Sequence, residues 1–200
     1  MDLARIKEYT DEEILLLCQN ARAEERKEYL EIIIQRYSQR LYHYIYRMIG
    51  NPYIAEDLVQ DTFLNLVKNL NKYKEVAKVS TWLFKIAINI TLNHIRSQKV
   101  RSAVQNMGGV GEEEEDYMEI LARDESQPWE NLEQRELESM IQRALLELPE
   151  KYRTLLILCD IEGLNYDEIS QILGLKLGTV KSRINRGREK LALLLEDMLK

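Results

Sequence analysis

Apolar residues recur every three or four positions through most of this 200-residue chain, a period that predicts helices separated by few breaks. Thr10 with Glu13 spells a capping box ahead of Ile14-Leu15-Leu16-Leu17, which starts a first helix. A second runs from about Glu24 through Met48, with Tyr29, Ile33, Tyr37, Leu41 and Ile45 four apart, until Gly50-Asn51-Pro52 breaks it. A third, from about Ile54 to Leu70, aligns Leu58, Thr62, Leu66 and Leu70 and leaves Glu56, Asp57, Gln60 and Asp61 on its outer sides. The stretch Asn71–Ser80 has no sustained period and holds Lys72, Lys74 and Lys78, so a basic loop is expected there. Ser80 or Thr81 should cap a fourth helix from Trp82 to about Ser97. Its Leu83, Ala87, Ile90 and His94 share one face, and Lys85, Asn89, Asn93 and Arg96 share the opposite one.

The C-terminal third repeats the pattern with sharper punctuation. Trp129, Leu132, Leu137, Ile141, Leu145 and Leu148 build one helix, and Pro149 starts another over Glu150–Cys159. Asn165 can cap the next, in which Ile169 and Leu173 face inward, and Gly174 supplies the left-handed residue that ends it. After a tight turn, Gly178-Thr179 opens a last helix with Val180, Ile184, Gly187 and Leu191 on one stripe. Ser182, Asn185 and Arg186 then point outward, flanked by Lys181, Arg183 and Arg188. Two helices joined this way form a helix-turn-helix, and the expected fold is all-α.

Charge divides the chain. The net charge of −6 looks unsuited to a nucleic-acid binder, yet residues 111–140 hold twelve acids against Arg123 and Arg135. That segment sums to −10 and the remainder to +4, so the acidity says little about the ends. With Gly108-Gly109-Val110-Gly111 and Gln127-Pro128, it reads as an acidic flexible linker joining two small helical domains. The expected boundaries are 1–99 for the N-terminal bundle, 100–130 for the linker and 131–200 for the helix-turn-helix domain.

Other classes of chemistry find no footing. Cys18 and Cys159 sit in apolar helical stretches, where a buried free thiol is expected, and His43 and His94 are isolated, so no metal or cofactor site is expected. Asp57 and Asp61 lie one turn apart, but no nucleophile with a base and no phosphate-cradling loop accompanies them, so an enzyme is not expected. The N-terminus lacks the apolar core of a signal peptide, and no run approaches the roughly twenty apolar residues of a membrane span. A cytoplasmic location without membrane insertion follows as an expectation.

Two helices carry the candidate chemistry. From residue 176 to 190, Lys176, Lys181, Arg183, Arg186, Arg188 and Lys190 face only Glu189. A second helix loaded in this way matches the use of a recognition helix, whose first turns reach base edges in the major groove while cations hold phosphates. In the N-terminal domain, four cations and no acid lie between Lys85 and Arg101, with Asn89 and Asn93 one turn apart. Amides hydrogen-bond base edges, cations hold phosphates, and an aromatic such as Tyr73 can stack on an unpaired base.

Four segments together resemble the extracytoplasmic-function (ECF) group of bacterial sigma-70 factors. They are AEDLVQDTFLNL at Ala55–Leu66, STWLFKIAINITLNHIR at Ser80–Arg96, LPEKYRTLLIL at Leu148–Leu158 and GLNYDEISQILGLKLGTVKSRINRGREKL at Gly163–Leu191. The resemblance implies binding to core RNA polymerase through Asp57, Gln60, Asp61, Phe63 and Leu64. It implies contact with the promoter −10 element through Lys72, Lys78, Lys85, Asn89, Asn93 and Arg96, with capture of a flipped base in the Lys72–Ser80 loop. It also implies −35 reading by Thr179, Lys181, Ser182, Arg183, Asn185, Arg186 and Arg188, although the family often holds an apolar, aromatic or histidine residue at the place of Asn185. The chain stops at Lys200, soon after its last helix, so control by a separate anti-sigma protein is expected in place of an appended sensor domain. The competing reading is a dimeric helix-turn-helix regulator that binds duplex DNA and never touches polymerase.

Overall fold

A computed structural model describes residues 9–74, 78–108 and 132–199, and the side chains of all of these except 104–108 and 132–134. Within these residues the secondary structure is helical: α1 (Asp11–Asn20), α2 (Ala23–Ile49), α3 (Pro52–Asn69), α4 (Val79–Gly108), α5 (Leu132–Glu147), α6 (Glu150–Leu156), α7 (Tyr166–Leu173) and α8 (Leu177–Met198). A 3-10 turn over Leu70–Lys72 follows α3, and a π turn over Ile157–Ile161 widens the end of α6. The acidic run Glu112–Asp116 lies outside the described residues.

The N-terminal bundle is α1–α4. Thr10 and Glu13 close the expected capping box, and Asn51 caps α3 by accepting from Ile54 N–H at 3.1 Å. Ile14, Leu15, Ile33, Leu41, Tyr44, Ile45, Leu66, Leu83 and Phe84 are sealed from solvent in a shared core. Burying a side chain of this size is worth about 1.5–3 kcal/mol, which is what holds four amphipathic helices together.

Helix α4 departs from expectation at both ends. It begins at Val79, ahead of Ser80 and Thr81, because the Glu12 carboxylate accepts the Val79 N–H at 2.9 Å. It also continues to Gly108, so the first residues assigned to the linker belong to the helix.

Helices α5–α8 form the second unit. Asn165 and Glu168 make a capping box on α7, and Gly174 ends that helix at φ 64°. Val180, Ile184 and Gly187 bury one stripe of α8 against α6, where the Gly187 Cα faces the Leu156 side chain.

The two units pack against each other. Gly50, the left-handed cap of α2, lies so close to Leu146 that a Cβ there would sit 2.7 Å from Leu146 Cδ1. Gln142 accepts from Arg47 at 3.2 Å and donates to Tyr46 O at 3.3 Å. Buried Arg153 donates to Met48 O at 2.5 Å, to Leu148 O at 3.0 Å and to Leu146 O, so one guanidinium satisfies carbonyls at the ends of both α2 and α5.

Candidate nucleic-acid interface

The bare side of α8 follows from its packed side. With Val180 and Ile184 fully buried, Lys181, Ser182, Asn185 and Arg186 are exposed, and Thr179 and Arg183 are half-buried. The N-cap residue Lys176 has no side-chain oxygen to accept the first N–H groups, which leaves this end of the helix electropositive. Lys181, Arg183 and Arg186 take part in no ion pair among the described residues. Arg188 differs from the rest of its set. Its guanidinium grips Asp160 with Nε to Oδ2 at 3.1 Å and Nη2 to Oδ1 at 2.5 Å, bracing α8 on the π turn.

On α4, Lys85, Asn89, Asn93 and Arg96 are exposed along one line, opposite Leu83 and Ala87, which are buried. Arg96 Nη1 donates to Asn93 Oδ1 at 3.4 Å. His94, across the helix, has its imidazole pushed toward the neutral form by burial and then by Arg101. Ahead of the helix, Lys72 is exposed, and Lys78 Nζ donates to Glu168 Oε1 at 2.8 Å on α7 of the other unit. This bond raises the Lys78 ammonium above its ordinary value and lowers the Glu168 carboxyl below its own. Tyr73 is only 5% exposed and packs its ring 5.3 Å from that of Trp82. It belongs to the core, which corrects the expectation that it offers a stacking surface.

On α3, Asp57, Gln60, Asp61 and Leu64 are exposed, whereas Phe63 is 8% exposed and points into the bundle. Two apolar residues that the sequence reading passed over, Tyr53 at 58% and Val67 at 44% exposure, lie on the outer sides of the same helix. An apolar residue at the edge of an amphipathic stripe carries no sequence mark that tells buried from exposed, so only packing distinguishes Phe63 from Val67.

Among the described residues no cluster of three His, Cys, Asp or Glu side chains could hold a metal, and no helix is long and apolar enough to cross a membrane. Cys18 is buried, and burial pushes its thiol up to about 11; Cys159 is half-buried against Arg188.

The arrangement of a basic helix and an amide-bearing helix has counterparts in known proteins. The sequence model of sigma-70 region 2 matches residues 33–101, and that of sigma-70 region 4 matches residues 138–191. The ECF RNA polymerase sigma factor SigW of Bacillus subtilis is 38% identical over 166 residues, which cover 83% of this chain and 88% of that protein. The RNA polymerase sigma-H factor of Pseudomonas aeruginosa is 28% identical over 87% of this chain and 90% of its own length. Among solved structures, the sigma factor RpoE in complex with the anti-sigma factor NepR from Bartonella quintana has a TM-score of 0.65 at 25% identity, covering 83% of this chain and 96% of that one. CnrH in complex with the cytosolic domain of CnrY has a TM-score of 0.66 at 21% identity, covering 94% and 97%, and supports the fold. The chain therefore belongs to the ECF group of sigma-70 factors, non-enzymatic initiation factors that direct RNA polymerase to promoters.

Proposed function

We propose that the two exposed stripes divide promoter recognition between them, α8 reading the −35 element as duplex and α4 engaging the −10 element where the strands part. The observation that supports this is their placement: each stripe is polar and cationic opposite a buried apolar face, and each falls in a different matched region. Lys181, Ser182, Arg183, Asn185 and Arg186 then face the major groove, with Thr179 and the uncapped end of α8 toward phosphate. Arg188 supports them through Asp160. Asn89 and Asn93 meet base edges on the other surface, and Lys72, Lys85 and Arg96 neutralise phosphates. Lys78 exchanges Glu168 for phosphate when the two units separate. Strand separation needs no hydrolysis, because each base bound outside the stack contributes roughly 1–3 kcal/mol against the cost of melting.

The exposed side of α3, with Asp57, Gln60, Asp61 and Leu64 joined by Tyr53 and Val67, is the docking surface for core polymerase, and Phe63 supports it from beneath. In this reading residues 1–99 form the polymerase and −10 domain, now carried to the end of α4, and 131–200 form the −35 domain. The protein acts in the cytoplasm, with its polymerase and promoters. Two similar proteins have been solved bound to other chains, one of them a sigma factor in complex with an anti-sigma factor. A separate anti-sigma protein is accordingly the proposed regulator here.

Transcription from a promoter library by purified core polymerase, with and without this protein, is the direct test. Promoter-specific transcripts only in its presence are expected. Duplex binding by the protein alone, with no effect on polymerase, would revive the dimeric-regulator reading.

A further inference from the structure

One helix holds both ends of the connection between α3 and α4. On α1, Gln19 Nε2 donates to Leu70 O at 2.8 Å and to Tyr73 O at 3.0 Å, which fixes the near end. Seven residues earlier and on the same face, Glu12 Oε1 accepts from Val79 N–H at 2.9 Å, which fixes the far end and the first turn of α4. The residues held are buried: Leu70 is 3%, Tyr73 5% and Val79 0% exposed. Lys72, Lys74 and Lys78 remain exposed.

Helix α1 is itself anchored. Asp11 is bound by Arg36 at 2.5 Å and by the Tyr37 hydroxyl, both from α2, and the Thr10–Glu13 capping box closes its first turn. A carboxylate on the first N–H of α4 also sits where the helix dipole favours negative charge, so that end of α4 is filled from within the protein. The register of α4 relative to the connection before it is consequently set by a helix that carries none of the proposed DNA contacts.

We infer that Gln19 and Glu12 are positioning residues for recognition of the unpaired −10 strand, holding the Leu70–Tyr73 turn and the Asn89–Asn93 stripe in one fixed relation. The inference rests on the −10 reading of α4 given above. Base preference depends on several contacts being met at once by one strand, so a shift between the turn and the stripe lowers discrimination even when every contacting side chain is intact.

The test uses the full chain assembled with core polymerase and a library of single-stranded oligonucleotides randomised over the −10 element. Preference for the best base over the others is a ratio, so partial misfolding of a variant leaves it unchanged. Gln19→Leu and Glu12→Ala are each expected to reduce that ratio by about 5- to 10-fold, the effect of one or two lost hydrogen bonds. Core binding and −35 duplex binding should stay within about twofold of the parent, a difference too small to mark a lost hydrogen bond. Glu12→Gln, which keeps the acceptor oxygen, is expected to restore the parent ratio. Asn89→Ala with Asn93→Ala in the same assay separates this inference from the reading it rests on. If the asparagine variant loses preference and the α1 variants do not, the positioning role is overturned and the −10 reading stands. If neither changes the ratio, both fall. A uniform loss of binding with the ratio preserved would mark Gln19 and Glu12 as ordinary structural residues and overturn the inference.

Discussion

The two helices proposed to face DNA solve the problem of their first turns in opposite ways. Helix α4 has its leading N–H accepted by Glu12, whereas α8 follows Lys176, which provides no side-chain cap, and carries Lys181, Arg183 and Arg186 in no ion pair among the described residues. An uncapped, cation-bearing helix start is suited to a polyanion and gains from counterion release. A start already neutralised by a carboxylate gains less from phosphate, and in the proposed reading the weight passes to Asn89 and Asn93 further along. Binding at α8 should therefore fall steeply with salt, and binding at α4 more gently.

The largest effect comes from cutting the scaffold that carries both helices. Arg153→Met removes the donor to Met48 O, Leu146 O and Leu148 O and leaves buried carbonyls without a partner. A loss of roughly 3–5 kcal/mol is expected in urea unfolding, comparable to breaking one side of a buried charged contact. Two separate transitions in the variant, against one in the parent, would show that this contact joins the units. A parent-like midpoint would show that it does not.

Next in size is α8. Arg183→Ala or Arg186→Ala should each cost about 1–3 kcal/mol at one promoter position if the side chain reads a base. If it meets only phosphate, the loss is smaller, equal across sequences, and lowers the salt slope by about one. Measuring −35 duplex affinity of the holoenzyme against salt distinguishes the two. On α4, Asn89→Ala with Asn93→Ala should leave the salt slope unchanged and impair opening by about 1 kcal/mol per lost amide contact. Permanganate reactivity of unpaired thymines reports it, and a pre-melted bubble should recover part of the loss. An altered salt slope in the asparagine variant would erase the contrast between the helices.

Local features were legible in the sequence and non-local ones were not. The capping boxes at Thr10 and Asn165, the Gly174 stop and the Val180–Ile184–Gly187 stripe depend on residues a few positions apart, so their spacing alone indicates them. The true start of α4 depends on Glu12, 67 residues earlier, and no local pattern announces it. Arg188 reads as one more cation on a basic helix until Asp160, 28 residues before it, is brought alongside by the π turn. Tyr73 reads as an aromatic in a lysine-rich stretch, and only the Trp82 ring shows it to be core. Packing of the two units was hidden for the same reason: the acidic segment suggested independence, while the buried bonds that join them run from Arg153 and Gln142 to main-chain oxygens, which every residue possesses, and the side-chain pairs that add to them join residues about 90 or more positions apart.

The smallest effect lies in two ion pairs between the units, Lys78 with Glu168 and Arg40 with Glu162, and it turns on two glutamates whose carboxyls shift in opposite directions. Glu168 is lowered from its ordinary 4.5 by the hydrogen bond from Lys78, which is itself raised from 10.5. A lowered carboxyl contributes stability that is present above 4.5 and is lost as pH falls through its folded value; a raised lysine contributes stability that is present below 10.5 and is lost as pH rises through its own. This pair should therefore hold across the whole neutral range and let go only at the two extremes. Glu162 is instead raised, by burial, with Arg40 at 3.2 Å only partly offsetting it. Its contribution is present below 4.5 and is lost as pH rises through its folded value, so at neutral pH burying its charge costs stability that the Arg40 contact only partly returns. Opposite signs follow for matched substitutions at pH 7. Glu168→Gln should shift the two units slightly apart, as expected of one exposed ion pair, and Glu162→Gln should leave them closed or close them further, both read as the distance between fluorophores placed one on each unit. If both substitutions open the protein equally, burial is not what governs Glu162, and the two ion pairs act as equivalent ties between the helices.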